Sequence, residues 1–271
     1  MHEYKATYLI TTTLLSYFNL KTKRLKATTA IVFITLLSIP VKSNAQFYKD
    51  MSVGLNGGMY IYQGDLTPQT LGSFKTIQPG FSFFAKKPLN HFLAARIHIS
   101  IAKLKGDDSR YAVPEYRRQR NFYFTTPVKE FSAQLVWNIL GKNYEDQGIM
   151  PYLFSGAGVS LIRVKKDYSR IDTKIFEESS EVFTGLAIDN AKGTPRALLS
   201  VPVGVGAEYP ISPRFSVNLE TSYRFIFTDY LDGFSKSANP KLQDHYHSAS
   251  AGLIYKFGNR DKGIACPVMK Y

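Results

Sequence analysis

Cysteine is nearly missing. The chain of 271 residues carries one, Cys266, which excludes an internal disulfide framework and any multi-cysteine zinc or iron–sulfur site. Long apolar runs are also scarce: mean hydropathy is −0.16, whereas each helix of a membrane bundle needs about 20 consecutive apolar residues. Acidic charge is short, with 21 Asp and Glu against 34 Lys and Arg and a formal net charge of +13. What is present in quantity is apolar and aromatic, 44% hydrophobic and 14% aromatic, with 18 Tyr, 19 Phe and 19 Gly. That content excludes a disordered chain. It suits a membrane barrel, whose strands are apolar only at every second position.

A targeting segment comes first. Residues 21–26 are basic, 27–41 form a short apolar run ended by Pro40, and Ser43-Asn44-Ala45 supplies small residues. This order reads as a secretory signal cleaved between Ala45 and Gln46. The residue immediately after the cut is Gln46 and not Cys, so a lipid anchor is not expected. The upstream apolar stretch Tyr8–Leu20 reads as an extension ahead of the true start. Removing 1–45 leaves 28 basic and 20 acidic side chains, net +8. For an exported protein that charge no longer argues for nucleic acid. The expected organisation is an N-terminal extension plus signal peptide over 1–45, an outer-membrane barrel over 46–257 and a periplasmic tail over 258–271.

The exported part alternates with period two, most clearly over 93–101, 130–139, 199–208 and 215–227. Weaker candidates lie at about 51–62, 77–87, 150–163 and 244–257. Helical spacing fits none of the clear four. The length of these segments exceeds the usual soluble strand and meets the about 9–11 residues of a transmembrane one. Long gaps at 63–76, 106–120, 164–196 and 228–243 alternate with short ones at 88–91, 141–149 and 210–213. The spacing predicts an all-β, eight-stranded, up-and-down antiparallel transmembrane β-barrel with its short turns in the periplasm. Pro79 and Pro202 fall inside strands and are expected to need a bulge or a shifted boundary.

Parity then sorts the side chains. Leu, Val, Ile, Phe and Trp face lipid, while Arg96, Arg224 and Lys256 face the lumen with Glu130, Glu208 and Glu220. An eight-stranded barrel has an interior only wide enough for its own side chains, so these charges are expected to satisfy one another rather than line a pore. No enzyme activity, cofactor or metal is expected.

Two stretches carry a resemblance. Tyr60-Ile61-Tyr62-Gln63-Gly64-Asp65-Leu66 closes the first strand, and Glu220 through Arg224-Phe225-Ile226-Phe227-Thr228-Asp229-Tyr230-Leu231-Asp232 closes the seventh. Together they resemble the outer-membrane barrel family that contains PorG, a component of the type IX secretion machinery. The departure is Gly233, where that family usually has a second acidic residue. The resemblance implies a non-enzymatic barrel that links periplasmic secretion-ring proteins to the outer membrane. Its motif residues here are Gly64, Asp65, Leu66, Arg224, Asp229, Tyr230, Leu231 and Asp232.

The same residues have readings of their own. Gly64 and Asp65 fit a rim turn, with Gly supplying permissive backbone. Asp229 and Asp232 flank Tyr230 at the expected depth of an aromatic belt. A Ca²⁺ site of Asp65, Asp229 and Asp232 is the metal alternative, weakened by the lack of calcium-loop spacing. Asp244-His245-Tyr246-His247-Ser248 holds catalytic residue types, but the histidines share parity with the lipid face and Ser248 does not. Arg117-Arg118-Gln119-Arg120, between aromatics, reads either as a solvated loop or as a binder of lipopolysaccharide phosphate. The 164–196 gap is long enough to fold over the mouth as a plug or to form a partner surface. The tail through Cys266 suits docking to a periplasmic partner.

Overall fold

The computed structural model describes residues 50–145, 148–177, 180–239 and 243–257, all within the unit Tyr48–Tyr271. The expected leader over 1–45 and the expected tail over 258–271, Cys266 included, lie outside the described residues. The strands are β1 (Ser52–Gln63), β2 (Gln78–Pro88), β3 (Leu93–Asp107), β4 (Tyr123–Asn138), β5 (Met150–Ile162), β6 (Lys165–Asp167), β7 (Ala197–Pro210), β8 (Phe215–Ile226) and β9 (His245–Lys256). Neighbours are antiparallel throughout, in the order β3-β2-β1-β9-β8-β7-β5-β4. Pairing of β3 with β4 closes the ring, and pairing of β1 with β9 forms the seam between the two ends of the barrel. Eight long strands therefore make a closed up-and-down barrel, as the alternation predicts.

The two faces separate as parity requires. Leu55, Phe81, Ile97, Ile99, Phe131, Trp137, Val159, Leu199 and Leu219 are exposed on the outer wall, while Arg96, Ser132, Glu130, Asn218 and Arg224 are buried within. An inverted polarity of this kind has its solvent in lipid, where a closed sheet leaves no unpaired edge. Inside, aromatic rings lie over glycines of the neighbouring strand, Phe154 across from Gly204 and Tyr152 across from Gly206. A side chain at either glycine would occupy the ring's place.

Neither proline needs a bulge. Met59 pairs with Pro79 in an unbroken β1–β2 register. At Pro202 the β5–β7 ladder lapses between Ser155–Val203 and Gly158–Ser200, yet the register is the same on both sides. The missing donor costs pairing toward β5 only, and Pro202 still pairs with Arg224 on β8.

Two strands run further than the alternation suggests: β3 extends to Asp107 and β4 begins at Tyr123. Above the wall they pair with each other, and β4 also pairs with β6, which continues β5 in one register. Val128 faces Ile162, Arg163 N–H donates to Pro127 C=O at 3.3 Å, and Thr125 faces Lys165. Pro127, without an N–H, sits where the ladder pauses.

The long connections gather over the same mouth, and the short ones (89–92, 139–149, 211–214) lie at the other with the barrel's two ends. The 106–120 gap holds a 3₁₀ turn, Asp108–Arg110, and helix α1 (Tyr116–Arg120). The 164–196 gap holds β6 and helix α2 (Glu181–Lys192). Leu66, Leu104, Phe122, Phe124, Leu186, Leu231 and Phe234 pack there with Tyr62 and Tyr246 in one apolar cluster. Phe122 stacks on Phe234 at 4.3 Å, and Tyr62 meets Phe124 edge-on at 4.7 Å. The loops form a cap with its own core.

Candidate functional site

From the short-turn mouth upward, the lumen is occupied by three charged clusters. At the mouth Glu208 takes Lys86 Nζ at 2.6 Å and Lys256 Nζ at 3.3 Å. In the middle Arg96 pairs with Glu220, which also accepts from Tyr152 Oη at 2.6 Å. Arg96 Nε donates to Gln134 at 2.7 Å, and its guanidinium lies 4.1 Å from the Phe154 ring. Higher up Arg224 Nε donates to Glu130 at 3.2 Å, and Tyr246 Oη donates to the same oxygen at 2.7 Å. Arg224 Nη1 completes the layer on the hydroxyls of Ser222 and Ser248 at 2.6 and 2.8 Å.

All six lumen charges expected from parity are therefore inside, each joined to an opposite charge. Lys86 is not among them. It follows Phe84 and Ser82 on the inward face of β2, but Lys87 beside it masks the alternation. A cavity at the short-turn mouth, lined by Lys86, Tyr152, Glu208 and Lys256 among others, has a volume of about 20 Å³. That is room for about one water.

The family-motif residues meet in the cap, apart from Arg224 in the lumen. Tyr62 Oη lies 2.7 Å from Asp232 Oδ2 and 2.7 Å from Asp244 Oδ1. A hydroxyl has one hydrogen to donate, so both contacts are hydrogen bonds only when one of the two carboxyls is protonated. The second oxygens are also engaged: Asp244 Oδ2 accepts from Leu231 N–H at 3.0 Å, and Asp232 Oδ1 from Phe234 N–H at 2.8 Å. Asp65 Oδ2 accepts from Asn239 N–H at 2.8 Å. Burial first, and mutual repulsion second, push Asp65 up to about 8. Burial likewise lifts Asp229 to about 7 and Asp232 to about 6, and it raises Asp244 well above the carboxylate range.

Several expectations need correction. The rim turn exists, with Thr67 N–H donating to Gly64 C=O at 3.1 Å. Gly64 is required there for space, because a Cβ would overlap Asp244 Oδ1 and Tyr62 Oη. Gly233, the departure from the motif, has φ of +86°, which an acidic residue adopts only with strain. Tyr230 is no belt residue: it is buried in the cap, under Lys192 at 4.3 Å, with its hydroxyl 3.5 Å from Asp189. Among the described residues no three acidic, His or Cys side chains are placed to hold a metal ion.

The arginine segment is neither a solvated loop nor a lipid clamp. Arg117 and Arg120 are buried on Asp108, at 3.2 and 2.8 Å, and Arg117 also donates to the carbonyls of Asp65 and Thr67. Arg118 alone of the three is exposed. The 164–196 gap contributes to the plug. Asp189 at the end of α2 accepts from Lys236 N–H, Ser237 N–H and Ser237 Oγ at 2.9–3.0 Å.

His245 and His247 stand on the outer wall, half-buried against Tyr223. Ser248 faces the lumen between Ser222 and Arg224. The barrel wall separates serine from imidazole, so they make no nucleophile–base pair.

A family model described as a domain of unknown function, DUF6089, matches residues 28–262. No curated protein matches the chain. Among solved structures the chain is similar to Ail, the attachment invasion locus protein of Yersinia pestis, with 13% identity, a TM-score of 0.41, and 76% of this chain and 97% of that one covered. It is similar to Neisserial surface protein A, with 16% identity, a TM-score of 0.43 and coverage of 77% and 98%. It is also similar to a major outer membrane protein from Thermus thermophilus, with 12% identity, a TM-score of 0.43 and coverage of 76% and 99%.

Proposed function

The chain belongs to the DUF6089 family, and from that premise we propose a non-enzymatic outer-membrane barrel that serves as a structural component of a type IX-like secretion or gliding apparatus, holding a periplasmic ring to the membrane. The observation that carries the reading is the filled lumen. A barrel closed by its own ion pairs passes nothing, so its work is done by contact. The type IX role comes from the resemblance of the Tyr60–Leu66 and 220–232 stretches to the barrel family containing PorG.

The short-turn side suits docking. Asn143 N–H donates to His91 C=O at 3.1 Å, Asn143 Nδ2 to Asn90 C=O at 2.9 Å, and His91 packs edge-on against Tyr144 at 5.2 Å. Two turns are thus clasped into one surface, which lowers the ordering cost of binding a partner. Export by the 1–45 leader and docking through 258–271 belong to the same proposal.

The test is a mild-detergent pull-down of the tagged barrel from native membranes, followed by mass spectrometry. Recovery of periplasmic ring proteins supports the role, and their loss on deleting 258–271 assigns the tail. A barrel that comes out alone, under conditions that keep the ring intact, overturns it. The alternative is a stand-alone surface barrel, which the charge on the outer wall favours.

A further inference from the structure

Among the described strands, charge on the outer wall near the long-loop mouth is confined to one sector; at the short-turn end β2 carries Lys87 on the outward parity of Phe81 and Phe83. Residues paired across antiparallel strands share a face, so the register fixes which outward side chains stand together. Ile99, Phe131 and Val159 form one apolar row across β3, β4 and β5. One row higher, Lys129 stands between Ile101 and Leu161. In the next, Lys103 and Arg163 stand either side of Pro127. Above that, Lys105 and Lys165 flank Thr125.

Strand spacing of about 4.8 Å puts the Lys103 and Arg163 backbones roughly 10 Å apart, with Lys129 about 7–8 Å from each on the diagonal. The three make a triangle whose long stems reach a common point. Lys103, Lys129, Arg163 and Lys165 are exposed and make no ion pair among the described residues. The acids nearby are otherwise engaged: Asp107 holds Lys105 and Arg110 at 3.5 and 3.3 Å, and Asp167 accepts from Ser169 at 2.8 Å. On β8, β9 and β1 the outward row at the strand ends is Phe225, His245 and Gln63, with no Lys or Arg.

We propose that this sector binds a phosphorylated glycolipid of the outer leaflet. Its phosphates lie on Lys103, Lys129 and Arg163, with Lys165 above, and its acyl chains lie along the apolar rows beneath. The depth carries the argument. The triangle begins one row above continuous apolar wall, where a lipid's phosphate sits over its chains. Charged side chains on a barrel's lipid face are tolerated only near the interface, and the Arg fork matches phosphate oxygens bidentately. The inference is independent of the docking role, which concerns the opposite mouth.

The experiment uses the full chain in detergent, with native mass spectrometry against bisphosphorylated lipid A and its dephosphorylated counterpart. Lys103→Gln, Lys129→Gln and Arg163→Gln are combined in one variant. Arg118→Gln, Arg170→Gln and Lys174→Gln, exposed bases of the cap, are combined in a control. Heat-modifiable gel migration verifies that each is a folded barrel. We expect wild type and control to bind the phosphorylated lipid alike, and the sector variant to bind about tenfold or more weakly. Wild-type affinity in the sector variant, equal loss in the control, or equal binding of the dephosphorylated lipid overturns the proposal. Full competition by millimolar inorganic phosphate overturns it in favour of a free-anion site. Loss of an acidic protein from membrane pull-downs, with lipid binding intact, overturns it in favour of a protein partner.

Discussion

Tyr62, with two carboxyls at 2.7 Å, makes the cap a proton-dependent structure. Asp65, Asp229 and Asp232 are raised to about 8, 7 and 6, against about 3.9 for Asp in an unfolded chain. Between those limits the folded cap binds more protons than the unfolded one, so its stability falls as pH rises. The contribution is complete below about pH 4 and is lost through about pH 6–8. Limited proteolysis of the 65–76 and 229–239 segments should be slower near about pH 5.5 than near about pH 8.5. Asp232→Asn, which removes one ionisable partner of Tyr62, should flatten that dependence. An unchanged cleavage rate across the range would contradict the shared proton. Gly64→Ala adds a methyl where Tyr62 and Asp244 meet. It should cost about 1–3 kcal/mol by overpacking, read as a lower thermal midpoint for loop protection.

At the level of the element, the stretch from the end of β3 through α1 to β4 shows what sequence reading reaches and what it misses. Parity places Arg96, Glu130, Glu208, Glu220, Arg224 and Lys256 in the lumen, because period two is a local property that a single strand displays. Asp108 with Arg117 and Arg120 is illegible. Its parts sit on a 3₁₀ turn and a short helix, and no spacing rule says that two arginines in a basic run fold back onto one aspartate. The same holds for Tyr62 with Asp232 and Asp244, and for the cationic sector, which exists only once β3, β4, β5 and β6 are in register. Asp108→Ala should leave two buried guanidinium groups unpaired and destabilise the cap by about 3–5 kcal/mol. New cleavage within 108–122, with barrel migration on gels unchanged, is the expected result. Loss of the barrel itself would show that cap and wall are one cooperative unit.

At the scale of the whole barrel, the described residues form a plugged cylinder. Purified protein in a planar bilayer should show no steady ion conductance, since the Arg96–Glu220 and Arg224–Glu130 layers lie across the lumen. Arg96→Ala opens one layer and strands Glu220, so it should lower barrel stability by several kcal/mol and admit small, flickering currents. Stable wild-type conductance would refute the filled-lumen reading and, with it, the proposed role by contact.

The seam has a further consequence, in the order of assembly. β1 and β9 come from opposite ends of the barrel and pair from Ser52–Lys256 to Gln63–His245. Contacts so distant along the chain carry the highest closure cost and form late. Tyr62 stands near the upper end of β1, and Asp244 immediately precedes β9, so their hydrogen bond exists only when the seam has zipped in this register. A slip by one residue would swap inner and outer faces of a whole strand and part the pair. The acidic clasp is therefore a checkpoint: the lid can latch only on a cylinder that has closed correctly.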